Sequence, residues 1–167
     1  MVRKFFLLTL FVMPAALFAQ EAIKVGYINT MEVMSQMPEV KLMNDSIQRQ
    51  VALFQSTIKE LEDEYTKKQS DFVQMQDSLP ENIKILKYRE IQSISERAEA
   101  FQQDSQQRLQ ELQQRLLTPI QEKFKKALEE VGIENHFSYV LDANAILYVS
   151  PQSTNVAPLV KAKLGLK

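Results

Sequence analysis

The residue types that could do chemistry in this 167-residue chain are few, and their spacing does not suit it. His136 is the only histidine and cysteine is absent, so a zinc ion would lack its usual companions there. A place at the start of a strand is the expectation for His136. Asp142 and Asn144 sit two apart, but turns favour both types, because their side chains bond nearby backbone and tolerate left-handed geometry. The acidic run Glu60-Leu61-Glu62-Asp63-Glu64 straddles an apolar helical position, so its charges read as a solvated face rather than an acid/base pair or a calcium loop. Gly26, Gly132 and Gly165 stand too far apart to cradle a phosphate. These residues predict neither an enzyme nor a cofactor or metal site.

The elements that would carry any site are dominated by one stretch. From Tyr27 to Val131 there is no glycine, and only Pro38, Pro80 and Pro119 interrupt it. Absence of the strongest breakers over such a length predicts two long helices, meeting at Ser78-Leu79-Pro80-Glu81-Asn82. The first fits a heptad with Asn44, Val51, Ile58, Tyr65, Phe72 and Leu79 at a, and Val40, Ile47, Phe54, Leu61, Lys68 and Met75 at d. Ten of these twelve are apolar, which is the narrow seam of a coiled coil. Pro38 suits the first helical turn, and Glu39 suits its positive end. In the return helix Ile91, Ile94, Ala98 and Phe101 keep the seam. Ser105 and Arg108 interrupt it before Leu109, Leu112 and Leu116 resume, which predicts a local change of winding. Pro119 should kink this helix, and Gly132 is placed to cap its C-terminus. The short break at Pro80 makes antiparallel pairing the simplest topology.

The ends read differently. Residues 1–19 carry Arg3 and Lys4, then an apolar run from Phe5 to Phe18 and the small Ala19, which is the pattern of a secretory signal cleaved after Ala19. Without cysteine a lipid-anchored lipoprotein is not expected. Removal of Arg3 and Lys4 leaves 20 − 2 = 18 basic against 21 acidic residues, near −3. No basic stripe with interleaved aromatics suggests nucleic acid. Residues 20–37 and 132–167 predict a β-rich body and residues 38–131 an arm with its tip near 78–82. In the body Ile23, Val25 and Tyr27 alternate as one strand. Tyr139 and Leu141 lie in a second, and Ile146 and Tyr148 in a third that would form a hairpin with it through Asp142 to Asn144. Met31 to Met37 predicts one or two helical turns, and a last helix ends at Leu164. So small a body, with open sheet edges, predicts an oligomer held through Ile23, Val25, Tyr27, Tyr139, Leu141, Ile146 and Tyr148. The fold class is α+β, mostly helical: a long antiparallel coiled-coil hairpin projecting from a small β-rich oligomerisation body.

A leading Lys24-Val25-Gly26-Tyr27-Ile28-Asn29 strand, a Gln- and Lys-rich hairpin and the closing Tyr139-Val140-Leu141-Asp142-Ala143-Asn144-Ala145-Ile146-Leu147-Tyr148 segment resemble the Skp (OmpH) family of periplasmic chaperones. The resemblance covers essentially the whole chain after the signal. It implies a homotrimer with a β-barrel body and three helical tentacles. Such a trimer holds unfolded outer-membrane β-barrel proteins in the periplasm without nucleotide. The best-known members are strongly basic, with a positive cavity that is thought to attract acidic clients and lipopolysaccharide, whereas this chain is mildly acidic. Its Lys67 and Lys68, and Lys84, Lys87 and Arg89, could face one another on the distal arm. A solvated helix face is expected there, with a contact to lipopolysaccharide or anionic lipid as the rival reading, and no lipopolysaccharide site is carried over.

A holdase would bind its clients through apolar side chains left over from the seam. Met43, Leu53, Val73, Ile85, Leu86, Tyr88 and Leu117 are the candidates, since weak dispersed contacts suit varied clients. Met31, Met34 and Met37 are expected in the core of the body. The rival reading is a structural coiled-coil spacer, or an accessory subunit of a cell-envelope complex, which would ignore unfolded proteins.

Overall fold

The computed structural model describes residues 23–166; the expected signal lies outside them. The chain opens with β1 (Val25–Ile28), followed by a short helix α1 (Thr30–Ser35). Asn29 starts α1 by accepting the Glu32 N–H on its side chain at 3.0 Å. The outgoing arm is α2 (Pro38–Met75), with Pro38 in its first turn, where its missing N–H leaves nothing unsatisfied. A 3₁₀ turn at Gln76–Ser78 and the extended Leu79-Pro80 pair reverse the chain. The return helix is α3 (Glu81–Glu134), whose 54 residues run without a break through Pro119. At 1.5 Å per residue, the 38 residues of α2 make an arm of about 57 Å.

Below the arm the chain forms β2 (Tyr139–Asp142), β3 (Thr154–Asn155) and α4 (Ala157–Leu164). The sheet order is β2-β1-β3, and both pairings with β1 are parallel. An out-and-back hairpin returns the chain to the end it left, so the following strand enters alongside β1 in the same direction. Ile28, Val33, Met37, Phe124, Val131, Val156 and Val160 anchor the core, and Ile120, Ala127 and Ala157 complete it. The body is thus built on the base of α3, with α4 packed against both α3 and α1, and Lys161 of α4 pairing with Glu32 of α1 at 2.8 Å. Of the three methionines expected there, Met37 is buried, Met34 is half-buried against the cluster and Met31 faces solvent. Gly26 is required by contact. A Cβ at that position would lie 2.7 Å from Val156 Cγ1 and 3.1 Å from the Phe137 ring.

Three sequence expectations are corrected here. The hairpin through Asp142 to Asn144 does not form. The Asp142 carboxylate does accept the Asn144 N–H at 2.8 Å, but the result is a 3₁₀ turn at Ala143–Ala145 that carries the chain off the sheet. Ile146 and Tyr148 therefore lie outside any strand. The third strand comes instead from Thr154 and Asn155, and the adjoining Val156 N–H bonds Tyr27 O at 2.9 Å. Gly132 is not the helix cap either, since α3 continues to Glu134. The left-handed cap falls to His136, with φ of 57°. Its N–H reaches Ile133 O and the Phe137 N–H reaches Gly132 O at 2.9 Å, which is the double closure of a Schellman end. His136 thus ends a helix rather than starting a strand. At the end of α4, by contrast, Gly165 takes the left-handed position with φ of 71°.

Candidate functional site

The arm is a two-helix seam with little to spare. Along α2 and the tip, ten of the twelve heptad positions are buried or half-buried; Asn44 and Met75 are exposed. Facing them, Ile91 and Ile94 are buried, Ala98 and Phe101 are covered, and Phe54 meets Phe101 edge-on with ring centroids 5.7 Å apart. Lys68 keeps its seam position because its ammonium reaches Glu90 across the arm at 2.5 Å, so only its stem is covered. Arg97 reaches Glu64 in the same way at 3.1 Å, and Lys123 pairs with Glu39 at the base. The Lys123 ammonium holds the Glu39 carboxyl below the usual range. Lys68, then Lys87, do the same for Glu90, and Glu90 in turn raises Lys68.

Of the basic residues on the distal arm, Lys68, Lys84 and Lys87 are answered by acids. Lys84 pairs with Glu81 at 3.6 Å, Lys87 with Glu90 at 3.3 Å, and Lys68 with the same Glu90. The apolar candidates divide. Leu53, Val73, Ile85, Leu86 and Tyr88 face solvent, with Leu53 59% and Tyr88 63% exposed. Val73, Ile85, Leu86 and Tyr88 lie within sixteen positions of one another around the tip. Met43 and Leu117 are half-buried instead, and Met43 packs against the core of the body. A 3.6-residue helix departs from the 3.5 repeat, so near the base Met43 shares a groove with Leu116, Pro119 and Ile120 of α3. Met75 was missed: it takes a seam position by number, yet α2 ends there and leaves it 45% exposed.

A second exposed apolar surface lies on the sheet. Val25 is level with Tyr139, and Tyr27 with Leu141. The intervening Gly26 and Ile28 turn to the core, so the named pairs share the outer face. Tyr139 is 61% exposed, and Ile23, Val25 and Leu141 are exposed beside it. Tyr148 and its neighbour Leu147 are also bare, while Ile146 is half-buried. Asp142 closes this strand, its carboxyl held low by the Thr30 hydroxyl and the Asn144 N–H.

A groove opens midway along the arm, about 610 Å³ in volume, where Ser105 takes the place of a large seam residue opposite Val51, Phe54 and Ile58. Ser105 is 6% exposed, and its hydroxyl has no partner. Arg108, the other interruption foreseen in the sequence, swings outward to Asp104 at 2.7 Å. Among the described residues no cluster of three His, Cys, Asp or Glu side chains could hold a metal, and no helix is long and apolar enough to cross a membrane.

Residues 24–164 match the model of the family described as Outer membrane protein (OmpH-like). The chain belongs to that OmpH-like family. Among its relatives are the chaperone protein Skp of Yersinia enterocolitica, 27% identical over 153 residues, covering 88% of this chain and 90% of the relative. Another is the Skp of Photorhabdus laumondii, 27% identical over 150 residues, covering 87% and 88%. An OmpH-like protein of Caulobacter crescentus has a solved structure that superposes with a TM-score of 0.76 at 12% identity, over 86% of this chain and 85% of the other. The OmpH-like architecture of long helices on a small sheet is therefore common ground at very low identity. The seam, the core of the body and the exposed apolar residues described above are this chain's own way of building it.

Proposed function

We propose that this protein is an ATP-independent periplasmic holdase that binds unfolded outer-membrane β-barrel proteins and keeps them from aggregating. The observation that carries the reading is the set of exposed apolar side chains on the arm, Leu53, Val73, Ile85, Leu86 and Tyr88, displayed on helices whose own seam is filled except at Ser105. Singly exposed apolar residues are ordinary. Four of them around the tip of an arm of about 57 Å, in a family with Skp chaperones, form a dispersed low-selectivity surface. Membership of the family supports the chaperone role, and the basic start and apolar run of residues 1–19 support export to the periplasm.

The working form is a homotrimer. A single body leaves Val25, Tyr139 and Leu141 exposed on one sheet face beside the half-buried Tyr27, and the outer edge of β2 unpaired within the chain. Copies joined through that face and edge would cover both and set the arms around a common space. Holding is passive: the client leaves when its folded state in the membrane becomes the more stable alternative.

The deciding experiment is light scattering of a urea-denatured outer-membrane β-barrel protein diluted into buffer with residues 20–167 at increasing ratios. Suppression that saturates near one trimer per client is the expected result. Aggregation that proceeds unchanged at large excess would refute the holdase and leave a structural spacer as the reading.

A further inference from the structure

We infer that the mid-arm groove at Ser105 is a subsite for tyrosine side chains of unfolded clients. The inference rests on the holdase reading and adds to it a place and a side-chain chemistry.

Ser105 is the anomaly that points there. Several hydroxyls elsewhere on the arm turn back to their own helix: Thr57 donates to Leu53 O, Thr66 to Glu62 O, Ser93 to Glu90 O and Thr118 to Gln114 O. That is the ordinary resting place of a helical hydroxyl. Ser46, Ser56 and Ser95 make no such bond, and all are more open to solvent than Ser105. Ser105 is more buried than any of them, and its Oγ makes no such bond. It belongs to the lining of a groove whose other walls include Val51, Phe54, Ile58 and Leu109, and Oγ moves about a single bond, χ1. Serine at a seam position costs twice, once in lost packing and once in an unsatisfied polar atom. One occupant repairs both losses: a ring with a hydroxyl at its end.

Other occupants fit less well. An aliphatic side chain would fill the space and leave the hydroxyl orphaned. An anion would face Glu62 and Asp63 on the rim beside the lone Lys59. Tyrosine lays its ring against Phe54, extending the Phe54–Phe101 pair, and its phenol can both give to and accept from Ser105. The proposed clients are rich in the residue, since outer-membrane barrels carry aromatic girdles at both membrane interfaces.

The test titrates residues 20–167 with p-cresol, the tyrosine side-chain analogue, and with toluene, which lacks the hydroxyl, while following methyl resonances by NMR. We expect shifts at Val51, Ile58 and Leu109, with p-cresol bound about fivefold tighter than toluene, the worth of one net hydrogen bond. Ser105→Ala should keep both ligands and erase the preference, and Ser105→Leu should abolish both at unchanged helicity. Shifts confined to other sites, or a preference that survives Ser105→Ala, would overturn the subsite. The scattering assay separates the two ideas. Normal client suppression without p-cresol binding removes the subsite alone. Phenol binding without any client suppression refutes the holdase, and with it the assignment of the occupant.

Discussion

Replacing Gly26 by alanine tests the packing of the body at its tightest point. In an unconstrained strand the change should be favourable by roughly 0.5–1 kcal/mol, because glycine gives up more backbone freedom on folding. Here the added methyl meets Val156 Cγ1 at 2.7 Å and two atoms of the Phe137 ring at 3.1 and 3.2 Å. Val156 has little room to yield. It is fully buried, β-branched, and tied through its N–H to Tyr27 O at 2.9 Å, one residue from the new side chain. Phe137 is held on its other side by Lys24, whose ammonium lies 4.3 Å from the ring centroid. Overpacking of this kind costs about 1–3 kcal/mol, which outweighs the backbone gain. The net loss of about 1 kcal/mol in a chain of this size lowers Tm by roughly 2–4 °C. The measurement is thermal unfolding by circular dichroism at one fixed protein concentration, since the proposed trimer would link stability to concentration. The double variant Gly26→Ala, Val156→Ala should then be less damaged than the sum of the two single changes, because the second truncation removes the atom that the first one meets. A Gly26→Ala protein as stable as its parent, or strict additivity in the pair, would show that the contact does not govern the body.

Three further outcomes follow from the geometry. Changing Leu53, Val73 and Tyr88 together to serine should weaken client binding at least tenfold in a fluorescence titration, with helicity and assembly intact; unchanged affinity would remove them from the binding surface. Tyr139→Asp places a charge on the bare sheet face and should shift sedimentation toward the single chain, while a distribution like the parent's would put the interface elsewhere. Glu39, Glu90 and Asp142 are each held below their usual range by their partners, so their contribution is complete above about pH 4.5. It should fall away as pH drops through the lowered values, and a midpoint that stays flat from pH 5 to pH 2.5 in urea would contradict the ion pairs.

The arm was legible because its stability is periodic. Val51, Phe54, Ile58 and Leu61 announce a stripe that only a facing helix can cover, and Pro80 marks where the partner begins. The sheet was not, because its partners lie far apart in sequence. Asp142 and Asn144 have the chemistry of a turn and use it, yet nothing local says that Tyr139 pairs with Val25 rather than with the segment after the turn. Thr154 and Asn155, polar and only two residues long, give no strand pattern at all. Gly132 looked like a cap from its type, while the conformation that ends the helix fell on His136, whose cost is offset by the closing bonds to Ile133 and Gly132. On the arm, Leu53 and Tyr88 were readable as off-stripe residues. Met43 packs against the core of the body because the helix drifts past its heptad toward Leu116 and Ile120, which a strict count of sevens does not contain.

The parallel pairing of β1 with β2 has a consequence for how the chain folds. Tyr139 and Val25 are 139 − 25 = 114 positions apart, and bringing the ends of so long a flexible chain together costs about 4 kcal/mol in closure entropy. Once α2 and α3 are zipped, most of that cost has already been met, because only the short joints Asn29–Met37 and Asn135–Ser138 remain between the arm and the two strands. Contacts within each helix form fast and those of the sheet slowly, so the arm should close first and act as the clasp of the body. Because β3 and α4 come last, a growing chain would display a finished arm before its body was complete, and on the trimer proposed above before it could join its siblings. Damage to the seam, tens of ångströms from the sheet, would then be felt as a failure to assemble.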